Sequence, residues 1–143
     1  MSEVRLDWLK DKTFVGTDST NHAIVIAPPD GGSNPGVKPS DLLLLALAAC
    51  AAVDTVEILR KKRQAVERME IRVDGTQDEN PPWTFRKIHM RFLFRGARLQ
   101  AQAVEQAIRL SEEKYCSVAA TIRCAAEITT SFDIQPPPDR AAV

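Results

Sequence analysis

The residues most able to do chemistry in this chain are three cysteines, Cys50, Cys116 and Cys124. Cys50 sits inside "LLLLALAACAAV", Leu42 to Val53, a run with no polar side chain other than that thiol. A free cysteine is most often a small buried hydrophobe, so packing alone is the first explanation. At about 100° per residue, however, Cys50, Asp54, Glu57 and Lys61 fall on one helical stripe. Asp54 stands one turn below the thiol where the segment is still apolar, and a carboxylate there needs a partner or a cavity. By itself it raises the pKa of a neighbouring thiol, so a reactive Cys50 requires a cation or several donors nearby. Glu57 and Lys61, in the favourable i, i+4 order, read as the solvated end of the same helix.

Cys116, in "EEKYCSVAATI", falls at the junction of two predicted helices. The amides opening a helix at Ser117 would favour a thiolate there; a turn that merely carries a small residue explains the position equally well. Cys124, before "AAEITT", reads as core packing. His22 and His89 make no close pair and no C-x-x-C is present, which argues against a zinc site. "PPDGGSNPG" lacks the Lys-Ser or Lys-Thr of a phosphate loop, and serine and histidine form no recognisable nucleophile motif.

The elements that must position these residues can be read from periodicity. Val4, Leu6 and Trp8 alternate with charged and other residues, and "HAIVIA", His22 to Ala27, is rich in β-branched residues, so two N-terminal strands are predicted. "PPDGGSNPGVKP" is a loop that precedes a helix capped by Ser40 and Asp41 and ending at Arg60 to Arg63, with its charges arranged as the helix dipole prefers. Being apolar nearly all round, that helix is expected to be buried. A hairpin follows, with Met69, Ile71 and Val73 on one strand and Ile88, Met90, Phe92 and Phe94 on the other. Ala101, Val104, Ile108, Ser111 and Tyr115 mark a second helix, Ser117 caps a short third through Ile122, and Ile128, Phe132 and Ile134 alternate as a last strand. The predicted order, β-β-α-β-β-α-α-β, indicates α+β with mainly antiparallel sheets.

At 143 residues the chain is expected to be a single domain, 1–143, with "QPPPDRAAV" from 135 a low-order tail. Nineteen basic and nineteen acidic residues balance, which argues against nucleic acid or an anionic membrane as partner. The N-terminus lacks the apolar stretch of a signal peptide, and the run from Leu42 to Val53 is shorter than the roughly 18 residues that span a bilayer, so a cytoplasmic location is expected. Three widely spaced cysteines do not form the framework of a small secreted domain.

Taken together, the cysteine segments resemble a known family. "KPSDLLLLALAACAAVDTVEILRKKR" is similar to the first cysteine helix of the OsmC/Ohr proteins, the osmotically inducible and organic hydroperoxide resistance proteins, and "RLSEEKYCSVAATI" to their second cysteine segment. The hairpin containing "PPWTFRKIHMRFLFRG" matches in kind, so the resemblance spans residues 4 to 134. Within the family, "AVDTVEIL" and "LSEEKYCSV" look like a little-characterised OsmC-like branch.

The resemblance implies an OsmC-like fold in an interwoven homodimer with a buried central helix and two sites at the subunit interface. It also implies a peroxidase in which Cys50 attacks an organic hydroperoxide and Cys116 resolves the sulfenic acid as a disulfide, recycled by a cellular dithiol. No cofactor or metal is called for. Peroxidase members pair the thiolate with an N-terminal arginine and a glutamate near the helix start. This chain has no arginine between Arg5 and Arg60, and Ser40 and Asp41 stand at the helix start. Asp41 and Asp54 are the supporting candidates, and Arg5, Lys10, Lys12, Lys38 or an arginine of a second copy would supply the cation. The alternatives are a catalytically weak OsmC-like dimer that binds a small apolar molecule, and a protein in which both cysteines only fill the core.

Overall fold

The computed structural model describes residues 1–29 and 35–138. Internal contacts divide the chain into two compact units, Met1–Leu43 and Leu44–Val143. The first unit is an antiparallel meander of β1 (Arg5–Lys10), β2 (Thr13–Thr17) and β3 (Ala23–Ile26), in that order. It has three strands where two were predicted. The missed one, "TFVGT", is short and interrupted by Gly16, so it lacks the alternation that marks a strand from sequence. After β3 the loop returns to the sheet, where Val37 accepts from the Ala27 amide at 3.1 Å and donates to the Val25 carbonyl at 2.9 Å. Gly36 makes that approach feasible, because a Cβ there would lie 2.7 Å from the Val25 carbonyl oxygen. The centre of the glycine-rich loop, 30–34, and the end of the tail, 139–143, lie outside the described residues. Of the predicted tail, Gln135 belongs to the last strand.

Helix α1 (Asp41–Lys61) carries Cys50, and from Leu44 onward it belongs to the second unit. Strands β4 (Arg68–Gln77) and β5 (Phe85–Arg95) form the predicted antiparallel hairpin, and β6 (Glu127–Gln135) pairs with β5 in parallel. A parallel neighbour requires a long crossover, and α2 (Ala101–Leu110), a π-helical turn (Ser111–Tyr115) and α3 (Ser117–Ile122) provide it. Ile88, Met90, Phe92 and Phe94 of β5 face one core with Leu47, Ala51 and Leu59 of α1 and Val104, Ala107 and Ile108 of α2. The opposite face of the same strands carries charged and polar residues, among them Arg68, Arg72, Arg91 and Asp133.

The expectation that α1 is buried all round does not hold within one chain. Leu47, Ala51, Thr55 and Leu59 are buried, but Leu45 is 52% exposed, Val53 71% and Val56 44%. A helix packed on one side of a three-stranded sheet can cover only one stripe. The full helix also exceeds the apolar run inside it. At 21 residues, with a mean hydropathy of 2.2 over its most apolar 18-residue window, it is long and apolar enough to cross a membrane by length and composition.

Candidate thiol site on helices α1 and α3

Cys50 lies half-buried on α1 against the core, and Cys116 is buried at the break between the π-helical turn and α3; both are free thiols. The break comes from the backbone. The Cys116 amide donates to the Ser111 carbonyl at 2.8 Å, an i to i+5 bond that closes the wide turn, and Cys116 then adopts extended dihedrals, φ −77° and ψ 101°. Its sulfur accepts from the Ala119 amide at 3.3 Å, so Cys116 itself caps α3, where Ser117 was expected to do so.

The helix amides were expected to favour a thiolate at Cys116, and they act in that direction without prevailing. Burial pushes the Cys116 thiol up to about 11, and hydrogen bonding and charge from the neighbouring Cys50 push the same way against the amides of Ala119 and Val118. The two cysteines far apart in sequence are thus close enough to perturb one another, and at neutral pH Cys116 keeps its proton.

Asp54 is half-buried one turn beyond Cys50, and its partner is not a cation. The Ser111 hydroxyl reaches both the Ala51 carbonyl at 3.2 Å and Asp54 Oδ2 at 3.4 Å, tying the π-helical turn to α1 beside the thiol. Among the described residues no lysine or arginine forms an ion pair with Asp54. Of the cations considered from sequence, Arg5 pairs with Asp7 at 2.8 Å and Lys38 with Asp41 at 3.4 Å. Asp41 therefore serves the first turn of α1, where the Ser40 hydroxyl also donates to it at 3.4 Å. Glu57 pairs with Arg60 at 2.8 Å and Lys61 at 3.4 Å, and the Arg60 hydrogen bonds hold its carboxyl down to about 2.

Cys124 is exposed just beyond α3, its thiol directed at the Ala120 carbonyl 3.8 Å away, so the packing role expected for it is not realised in the chain. Ser111 is the residue whose importance sequence reasoning missed. Its signal was a hydroxyl at the end of the stripe Ala103, Val104, Ala107 and Ile108, where it is fully buried and must find an acceptor. Arg123 adds a second tie, donating to the Glu112 carbonyl at 3.1 Å and its carboxylate at 3.2 Å, so the end of α3 is held to the π-helical turn.

Two thiols brought together from α1 and the start of α3 are the pattern of the resemblance, and a model of the OsmC-like protein family matches residues 31–131. The chain belongs to the OsmC-like protein family. Protein YhfA of Escherichia coli (strain K12) is 35% identical to this OsmC-like chain over 132 residues, covering 92% of it and 97% of YhfA. A hypothetical protein from Aquifex aeolicus VF5 superposes with a TM-score of 0.85 at 31% identity, over 96% of this chain and 98% of that one. The organic hydroperoxide resistance protein OhrB of Bacillus subtilis superposes with a TM-score of 0.63 at 14% identity, over 93% and 98%, a likeness of fold.

Proposed function

We propose that this chain is a thiol-dependent peroxidase of organic hydroperoxides, with Cys50 peroxidatic and Cys116 resolving. The observation that carries the reading is the pair of free thiols close enough to interact, with the π-helical turn that leads into Cys116 tied to α1 by Ser111. The Cys50 thiolate attacks the terminal peroxide oxygen, the O–O bond breaks, and the alcohol leaves with a proton, so Cys50 becomes a sulfenic acid. The Cys116 sulfur then attacks the Cys50 sulfur. The S–S bond forms, the hydroxyl departs with the Cys116 proton as water, and a cellular dithiol returns two electrons and two protons. A buried Cys116 that stays protonated suits the second role, because it leaves the first attack to Cys50 and has a proton to donate towards it. OhrB, which shares the fold, is named for organic hydroperoxide resistance.

The functional unit in this reading is a cytoplasmic homodimer of single OsmC-like domains spanning 1–143, with no nucleic acid or membrane partner. The family match begins near the end of the first compact unit and continues through most of the second, which supports one domain. The exposed Leu45, Val53 and Val56 support a second copy as the cover of α1, making it the core helix of a dimer and not a membrane span.

A second reading, a dimer that binds a small apolar molecule with little peroxide chemistry, is favoured by one observation: Asp54 is met by a hydroxyl and not by a guanidinium. Thiol titration before and after one equivalent of an organic hydroperoxide separates the two. Rapid loss of two thiols per chain is expected of the peroxidase. Unchanged thiols, with uptake of an apolar probe, would establish the binder.

A further inference from the structure

The outward face of the second sheet sets like charges against each other. Arg68 of β4 lies directly opposite Arg95 of β5, and Arg72 opposite Arg91. Such cross-strand pairs are destabilising unless anions intervene. Arg91 is satisfied by Asp133 at 2.9 and 2.7 Å. Glu70 serves two arginines unequally, Arg72 at 2.6 Å and Arg68 at 3.4 Å. Arg95 has no carboxylate among the described residues. Its Nη2 donates to Gln135 Oε1 at 3.4 Å, and its Nε is buried without any hydrogen-bond partner, a costly state for a charged donor.

A cleft of about 210 Å³ opens among Arg68, Glu70, Arg72, Leu93, Arg95 and Gln135. Three guanidinium groups against one carboxylate leave a surplus of two positive charges there. That surplus matches a dianion better than a carboxylate, and planar guanidinium edges suit phosphate oxygens. Leu93, opposite Glu70, supplies an apolar floor for an organic substituent.

We propose that this cleft binds the phosphate group of a small phosphomonoester, held chiefly by Arg68 and Arg95, on the sheet face opposite the core that holds the thiols. The phosphate takes the Nη donors of Arg68 and Arg95, and a turn of the Arg95 side chain gives its orphaned Nε a partner. The site is independent of the thiol chemistry.

Calorimetric titration of the full-length protein with glycerol 3-phosphate tests this. At low salt, binding is expected at about 1 mM or tighter, with Arg95→Gln and Arg68→Gln each weakening it about tenfold or more, as loss of a charge-assisted bond requires. Arg86→Gln, which breaks only the 2.8 Å pair with Asp78, is expected to leave binding unchanged. Circular dichroism checks that each variant is folded, and exposed Arg68 provides a test even if Arg95→Gln is not. Co-sedimentation with phosphatidic acid vesicles separates a headgroup from a free phosphomonoester as the source. Either mode, lost in both variants, supports the phosphate site. No heat at about 10 mM probe with no co-sedimentation, or equal weakening by Arg86→Gln, would overturn it.

Discussion

Each thiol has its own physical setting, and the two predict different behaviour. If Cys50 is the nucleophile, Cys50→Ser abolishes peroxide consumption, whereas Cys116→Ser reacts once and then accumulates sulfenic or over-oxidised Cys50. Mass spectrometry after one equivalent of hydroperoxide reads the difference, and equal loss of the first turnover in both variants would reject the assignment. Cys116 makes a second prediction on pH. Its pKa is raised from the ordinary 9 to about 11 chiefly by burial, so the folded protein holds this proton in a range where the unfolded chain releases it. Stability is therefore unaffected by this group below about pH 9 and falls as pH rises towards 11, by an amount of order 2–3 kcal/mol at most. Denaturant titrations from pH 8 to 11 are expected to show the fall in the wild type and a smaller one in Cys116→Ser. An identical fall in both would remove burial as its cause.

Between the elements, the decisive joint is the π-helical turn. A regular α2 would carry the chain straight past the position at which Cys116 leaves the helix; the wide turn closed by Ser111 and Cys116 lets it break there and restart as α3. The buried Ser111 hydroxyl holds the Ala51 carbonyl and Asp54 on α1. Ser111→Ala removes that tie and leaves Asp54 without its hydroxyl partner, at an expected cost of about 1–3 kcal/mol in denaturant stability. A structural loss alone would lower stability without changing chemistry. A positioning role also predicts slower Cys50–Cys116 disulfide formation after oxidation, measured by the lifetime of the sulfenic acid under conditions where the variant is fully folded. An unchanged lifetime would confine Ser111 to packing.

Across the whole molecule, one apolar stripe of α1 is buried in the core and another is open. Leu45, Val53 and Val56 leave a large apolar surface on a chain with balanced charge, which favours self-association. The expected state is an obligate two-fold dimer with an interface above about 2,000 Å². Light scattering that finds a folded monomer at micromolar concentration would sink this. Val53→Glu places a charge on that surface and is expected to dissociate or unfold the protein; a folded, unchanged dimer would show that this stripe lies outside the interface.

Local pattern and motif order carried the sequence reading a long way: the α+β class, α1 with its capping charges, the hairpin with its alternating faces, and the two cysteine segments that mark the OsmC-like family. These are legible because period, capping and turn chemistry are properties of neighbouring residues. Where the reading went astray, the missing information was long-range. The third N-terminal strand exists because β1 and β3 flank it, and the parallel pairing of β6 depends on where the crossover returns. Which face of α1 is covered depends on how little of a helix one small sheet can reach. Ser111 meets Asp54 only because α2 and α1 share one core, whereas the Cys116 cap on α3 is a local bond to the Ala119 amide. The charge on the outer sheet face could be counted from the sequence, but register alone set arginine against arginine and left Arg95 Nε without a partner.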